Sequence, residues 1–354
     1  MIRVRNFLLL LLFCFGVSAS AQVLPKPNLD ILRKDEDSMK SYSRQMITEK
    51  TATQRFTADS VFIRMLVRSL KTPNSFYYPF DSLSTVSRIY APDSSFRIFS
   101  WQWERDEDYF RQRGAIQMRT SDGSLQLYPL VDMSDFTKAP QDSVRTGRNW
   151  IGAIYYGIVM KTFNNKKYYT LLGYDDNNMR STKKWIEVLS FDQSGKPVFG
   201  GPYFSLTDGN ANSTAPLARY CLEYKKDGRA RINFDKDLDM IVYDHLISES
   251  NEPDKQYTMV PDGDYQGFKW TNGKWVLVDK VFNYKLRDGQ APMPAPLKDA
   301  TGKSDELKLM EQSQKNMQNN PPARQQQSAP IKPPSKVPAK KVSEKKQAKD
   351  EDSN

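Results

Sequence analysis

The sequence predicts a mainly β protein, an antiparallel meander or sandwich with one or two N-terminal helices; a barrel or an incomplete propeller is the alternative. Three observations lead to this fold class. Apolar and β-branched runs fill residues 150–204 and are separated by turn residues. Asn-Asn, Asn-Gly and Asp-Gly pairs recur between such runs, and these residues tolerate the positive φ of tight hairpin turns. About a dozen runs of strand length lie between residues 55 and 285, which is typical of sandwiches, barrels and propellers.

The central stretch predicts a four-stranded meander. Its strands are expected at residues 151–163, 167–174, 184–191 and 197–204. Asn164-Asn165 predicts the first turn, and Gln193-Ser194-Gly195 predicts the last.

Helical spacing is confined to the N-terminal part. A helix is predicted from a cap at Thr57 to a stop at Pro73, because apolar residues recur on one face; these are Val61, Phe62, Met65, Leu66 and Leu70. Residues 22–54 are polar, and Leu32, Met39, Tyr42 and Met46 have helical spacing. A short surface helix and a disordered leader both fit this segment.

Further strands are predicted on both sides of the meander. They cover residues 96–103, 115–119, 125–131, 217–224, 230–234, 240–247, 266–270 and 274–282. Hairpin turns are expected at residues 121–124, at Asp227-Gly228 and at Asn272-Gly273.

The first 21 residues predict a secretory signal peptide. Arg3 and Arg5 precede an apolar run that ends near Val17, and the small residues 19–21 provide a cleavage site after Ala21. The run is too short to span a bilayer, and no later segment is apolar enough, so no transmembrane segment is predicted. We therefore expect an exported protein, located in the periplasm, on the outer-membrane surface or outside the cell. Cys221 is the one cysteine left after cleavage, which excludes an intramolecular disulfide.

The net charge of +10 lies largely at the chain ends. Residues 302–354 contain eleven Lys and Arg against seven Asp and Glu, and the signal adds two arginines. The remaining charge is too small to indicate a nucleic-acid partner. Residues 286–354 are rich in Pro, Gln and Lys and lack aromatic residues, so we expect a disordered basic tail that can contact an envelope polymer or a protein partner.

No catalytic motif, metal site or cofactor fingerprint emerges from the sequence. His245 is the single histidine, which excludes metal sites built from several histidines. It could act as an acid–base residue in a cleft, although a structural role at a strand end, bonded to backbone, is the favoured interpretation. Asp244 is its neighbour along the strand and should point to the opposite face. Carboxylate pairs stay open as a catalytic route, and Glu104, Asp106, Glu107 and Asp108 are the acids nearest to two tryptophans.

Candidate binding residues are therefore aromatic or acidic. They are Trp101, Trp103, Asp175, Asp176, Asp244, His245, Asp262 and Asp264. Trp101 and Trp103 should share one strand face, where they serve either as platforms for sugar rings or as core residues. The aspartates at 175–176 and 262–264 could offer oxygens to a hard cation, although both segments also have the composition of ordinary turns.

Several segments together resemble a family of exported β-rich proteins of Gram-negative bacteria that have no assigned activity. The similar segments are Phe96–Trp101, Tyr169–Tyr174, Lys184–Leu189, Val198–Gly200, Met240–Leu246 and Val260–Gly263. The resemblance covers about residues 55–285 and implies the compartment and the domain limits, but no chemistry.

Three functions remain compatible with the sequence. The first is an exported, non-catalytic binding or scaffold protein of the cell envelope. The second is a carbohydrate-active enzyme that uses a carboxylate pair. The third is a structural subunit of a secretion or surface machine.

Overall fold

Two helices and three β-sheets make up the folded body, as seen in a computed structural model that describes residues 24–106, 109–206, 215–282, 307, 310 and 311. The predicted signal peptide, Glu107, Asp108 and nearly all of the predicted tail lie outside the described residues. The described residues between 24 and 282 belong to one compact unit. The predicted fold class is confirmed: the protein is mainly β with N-terminal helices, and none of the sheets closes into a barrel over the described residues.

The N-terminal helices α1 (Lys26–Thr48) and α2 (Ala52–Leu70) pack against each other and against one sheet. In α1 the residues Leu32, Met39 and Met46 recur every two turns and are fully buried, so the polar segment 22–54 contains a long helix with one apolar stripe. Helix α2 starts before the predicted cap. Thr51 and Gln54 form a reciprocal capping box, which satisfies the first backbone N–H groups of the helix, whereas Thr57 lies inside it.

Sheet I is a four-stranded antiparallel meander. Its strands follow chain order and are β1 (Ser87–Tyr90), β2 (Phe96–Asp106), β3 (Tyr109–Met118) and β4 (Gln126–Val131).

Sheet II contains six strands and is built on the predicted central meander. They are β5 (Arg145–Thr146), β6 (Ile154–Phe163), β7 (Lys166–Asp175), β8 (Ser181–Phe191), β9 (Pro197–Phe199) and β11 (Arg219–Lys225). Strand β8 pairs with β7 along one edge and with both β9 and β11 along the other. The Asn164-Asn165 turn has positive φ at both residues, as the sequence predicts.

Sheet III contains five strands. They are β10 (Phe204–Ser205), β12 (Ile232–Asp235), β13 (Met240–Ser248), β14 (Met259–Thr271) and β15 (Lys274–Val278). Their order in the sheet is β10-β15-β14-β13-β12. Strands β10 and β15 pair in parallel, and the other pairs are antiparallel.

Two predictions about the strands are wrong. The predicted strand 197–204 is interrupted at Gly200 and Gly201, both with positive φ, and its two ends join different sheets because the chain passes from sheet II to sheet III there. The predicted hairpin at Asp227-Gly228 does not form either. Neither residue has positive φ, and the strands on its two sides, β11 and β12, pair with β8 and β13.

Apolar contacts join the helices and sheets into successive layers. One cluster lies between the helices and sheet I, a second between sheets I and II, and a third between sheets II and III. Sheet II is therefore covered on both faces, and polar side chains on its strands must find partners inside the protein. Over the described residues, no helix combines the length and the apolar character needed to cross a bilayer.

Candidate functional site

Trp101 and Trp103 are core residues that pack beneath the helices. Both lie on the face of β2 that contacts α1 and α2, so they share a face as predicted. Trp101 donates a hydrogen bond from Nε1 to Asp59 Oδ1 at 2.8 Å, and its ring meets Phe62 edge to face. Trp103 is only 7% exposed and packs against Phe56. Neither ring presents a free face on which a sugar could stack.

Asp244, His245, Asp262 and Asp264 lie on paired strands of sheet III. His245 occupies a β-bulge, where the register between β13 and β14 shifts, and its Nδ1 lies 2.7 Å from Asp262 Oδ2. This partner is a side chain rather than the expected backbone group. Asp244 is buried and accepts a hydrogen bond from the backbone N–H of Arg231 at 2.7 Å, so it does not assist its neighbour.

Asp262 lies in the irregular part of β14 opposite His245, where the pairing with β13 shifts register. Partial burial acts to raise its pKa, but hydrogen bonds from the Asp264 backbone N–H and from His245 lower the pKa overall. Asp264 Oδ2 lies 4.0 Å from Lys280 Nζ. The group is a set of exposed ion pairs at the bulge between β13 and β14, and no cluster of three or more potential metal ligands occurs among the described residues.

Asp175 is the last residue of strand β7 and Asp176 follows it, and the two side chains have different surroundings. Asp176 accepts hydrogen bonds from the Tyr174 hydroxyl at 2.9 Å and from Lys226 Nζ at 2.6 Å. Asp175 is buried, and its Oδ1 accepts from Gln112 Nε2 at 2.7 Å and from the Asn177 backbone N–H at 2.9 Å. Asn177 adopts the left-handed conformation that this turn requires, with φ +56°.

A cavity of about 410 Å³ lies between sheets I and II beside Asp175. The start of β3 forms one wall, and strands β7, β8 and β11 form another. The connection that follows β4, from Ser134 to Gln141, contributes the remaining side. A volume of this size lies within the range of small-molecule sites. Of the eight predicted site residues, Asp175 alone lines the cavity.

The cavity contains three carboxylates in different environments. Asp135 is paired with Arg111 Nη1 at 2.5 Å and accepts a hydrogen bond from the Tyr109 hydroxyl. Glu223 Oε2 lies 3.8 Å from Lys183 Nζ. Asp175 has no ion-pair partner within 4.0 Å among the described residues, and burial raises its pKa to about 6.

Trp185 and Cys221 provide the less polar part of the wall. Trp185 is 3% exposed, and its buried Nε1 has no hydrogen-bond partner within the described part of the chain. A buried donor without a partner is unusual in a folded protein and marks a place where an added acceptor would be stabilised. Burial raises the pKa of the Cys221 thiol well above its usual range, so this thiol stays protonated and is not a nucleophile.

Sequence reasoning missed most of these residues, although β8 carried a signal. Lys183, Trp185 and Glu187 share one face at the third strand of the predicted meander, and Ile186 and Val188 lie on the other face. Charged residues on one face of such a strand indicate either a buried ion pair or a polar cavity. Both occur: Glu187 pairs with Arg219, and Lys183 lines the cavity.

The acids near Trp103 do not form a cleft. Glu104 lies 3.9 Å from Arg55, and Asp106 lies 3.5 Å from Arg105. Glu104 and Asp106 are thus engaged with arginines and do not form the carboxylate pair that the sequence left open beside these tryptophans, whereas Asp135, Asp175 and Glu223 do line a common cavity.

Comparison with known protein families, with characterised proteins and with solved structures finds no match for this chain. The resemblance to exported proteins therefore stays a prediction.

Proposed function

We propose that this protein is an exported, non-catalytic binding protein of the cell envelope, and that its cavity between sheets I and II holds a small polar ligand. The cavity supports this proposal, because its walls combine oriented carboxylates with a buried indole N–H that has no hydrogen-bond partner in the described residues. Polar groups inside a fold are normally satisfied. Trp185 and Asp175 line the same cavity, and among the described residues the first has no hydrogen-bond partner at Nε1 and the second has no ion-pair partner. A ligand that accepts from one and donates to the other would satisfy both.

Export is supported by the signal-like N-terminus. The expected result is a mature chain that begins at Gln22, and mass spectrometry of the protein purified from fractionated cells measures this directly. An uncleaved chain recovered from the cytoplasm would contradict export and therefore a role in the cell envelope.

Filling the cavity tests the binding role. Cys221→Phe places a larger side chain in the wall, and Cys221→Ser is the matched control because it keeps the size of the thiol. Native mass spectrometry after incubation with envelope extract should show a bound small molecule on the wild type and on Cys221→Ser, but not on Cys221→Phe. The same bound mass on Cys221→Phe would contradict a ligand in this cavity.

Hydrolysis of a glycosidic bond is the second candidate function, favoured by the two acids near Asn177. Asp175 accepts from the Asn177 backbone N–H, and Glu223 accepts from Asn177 Nδ2 at 3.5 Å, so one residue holds both carboxyl groups. Glycosidases require two carboxyl groups roughly 5–10 Å apart, one with a raised pKa. Release of reducing ends from oligosaccharides by the wild type, but not by Asp175→Asn or Glu223→Gln, would establish this activity. Ligand binding without any product would support the binding protein instead.

A further inference from the structure

We infer that the ligand of this cavity is a neutral, polyhydroxylated molecule, a saccharide unit that accepts a hydrogen bond from Trp185 and donates to Asp175. This inference rests on the proposed binding function and specifies its chemistry.

The charges that line the cavity argue against a strongly charged ligand. An anion such as phosphate would meet three carboxylates, of which Asp175 lacks an ion-pair partner within the described part of the chain. A cation such as a polyamine would meet Lys138 and Lys183 in the same walls. Asp135 and Glu223 have cationic neighbours, and the charge of Lys183 also acts on Asp175, so the charges of the walls largely balance one another.

The hydrogen-bonding groups match hydroxyls. Trp185 Nε1 and Lys183 can only donate, whereas the carboxylates of Asp175 and Glu223 accept when ionised. A hydroxyl does both, so adjacent hydroxyls on one ring can satisfy donors and acceptors that lie side by side. Bonds from hydroxyls to a carboxylate are charge-assisted and therefore stronger than bonds between neutral groups. Asp175 uses only Oδ1 for the hydrogen bonds from Gln112 and Asn177, which leaves Oδ2 as an acceptor.

Apolar side chains around the cavity suit the C–H faces of a sugar ring. Trp185, Phe110 and Ile151 line it. Phe136 is 77% exposed and directly follows Asp135, and Met179 is 64% exposed two residues after Asn177. Both segments contact the start of β3, through the Asp135 bond to the Tyr109 hydroxyl and the bond from the Phe110 N–H to the Asn177 carbonyl. Large exposed apolar residues on either side of a polar cavity are typical of ligand sites.

Glycan binding by the full mature chain tests this inference. An array of neutral mono- and oligosaccharides identifies the glycan, and isothermal titration with that glycan, with inorganic phosphate, with spermidine and with glutamate compares ligand classes. Trp185→Phe removes the N–H and should weaken glycan binding about three- to tenfold. Asp175→Asn removes a charged acceptor and should weaken it at least tenfold.

Trp103→Phe is the matched control. Trp103 is also a buried tryptophan whose Nε1 has no partner in the described chain, but it lies beneath the helices and does not line the cavity. Its substitution should leave glycan affinity unchanged, so a loss specific to Trp185→Phe reports the cavity rather than a general effect of the exchange.

The outcomes separate the two proposals. Glycan binding that is weakened by Trp185→Phe and Asp175→Asn, but not by Trp103→Phe, supports the saccharide. Binding of phosphate, spermidine or glutamate that depends on Trp185, without glycan binding, overturns the ligand class and leaves the cavity as a binding site. Glycan binding that is equal in all variants places the sugar elsewhere and also overturns the inference. No binding of any probe, together with no ligand from envelope extract, contradicts both.

Discussion

Replacing Glu187 with leucine tests the polar network that is buried on the face of sheet II toward sheet I. Arg219 donates from Nε to Glu187 Oε2 at 3.0 Å, and both side chains are fully buried. The Tyr155 hydroxyl donates to the other carboxylate oxygen and accepts from Trp150 Nε1 at 2.7 Å. Glu187 is thus the one group that joins the guanidinium to the aromatic pair.

The expected loss of stability is large because the substitution leaves a buried charge without its partner. Without the carboxylate, the guanidinium of Arg219 stays in a layer that is closed to water, and breaking a buried ion pair in this way costs about 3–5 kcal/mol of unfolding free energy. For a body of this size, each kcal/mol lowers the melting temperature by roughly 2–4 °C. Glu187→Leu should therefore lower the melting temperature by roughly 6–20 °C.

A double-mutant cycle with Arg219→Met isolates the pair. Arg219 also donates to the carbonyl oxygens of Ser143 and Phe199, so the double variant leaves acceptors unpaired and does not regain wild-type stability. Its loss of unfolding free energy should still be about 1–3 kcal/mol smaller than the sum of the two single losses.

Urea unfolding followed by tryptophan fluorescence and by circular dichroism measures each variant. Glu249→Leu is the control, since Glu249 is an exposed partner of Lys225 and should change stability by less than about 0.5 kcal/mol. A loss below about 1 kcal/mol for Glu187→Leu, or strict additivity in the cycle, would refute the role of this network.

Three further predictions concern a buried acid, two glycines and two threonines. Burial raises the pKa of Asp175 from 3.8 to about 6, so the wild type loses stability as the pH rises through this interval. The free energy of unfolding of Asp175→Asn relative to the wild type should therefore grow by about 2 kcal/mol from pH 4 to pH 7. Urea unfolding at each pH measures this, and a difference independent of pH contradicts it. Gly200→Ala should lower the free energy of unfolding by at least about 2 kcal/mol, and Gly263→Ala should lower it by about 1 kcal/mol. Both glycines have left-handed φ, but only at Gly200 would a Cβ lie 3.0 Å from neighbouring atoms. Equal losses in thermal unfolding would contradict this difference. Thr51→Ala should lower the free energy of unfolding by about 1 kcal/mol and Thr57→Ala should hardly change it, because Thr51 caps α2 and Thr57 lies inside it. The reverse order of losses in urea unfolding would place the helix start at Thr57.

Local chemistry explains which parts of the fold the sequence could predict. Asn272-Gly273 forms its turn with positive φ at both residues, because two adjacent residues carry all the information that this turn needs. The pairing of β11 with β8 instead joins residues 219–225 to residues 181–187. Nothing in either strand specifies that partner, since each offers an alternating pattern that several neighbours could satisfy.

The cavity shows the same limit. Asp175 stands out in the sequence because it begins a polar turn. Trp185 and Glu223 come near it through the pairing of β8 with β7 and β11, and the stacking of sheet I on sheet II adds Gln112. The sequence favours core packing for Trp101 and Trp103 but leaves a platform role open, because a strand pattern identifies a shared face and not whether a helix covers that face.

The contact between α1 and sheet I has a practical consequence for recombinant production. Trimming the chain to residue 55, the limit suggested by composition, would delete α1 together with the first turn of its partner helix. The aromatic face of β2 around Trp103 would then meet water, and such surfaces promote self-association. Tyr78 would also lose its hydrogen-bond acceptor, the buried carboxylate of Glu36. Expressed chains should therefore begin no later than residue 24. Aggregation of the shorter product would reflect the missing helix rather than an intrinsically insoluble protein.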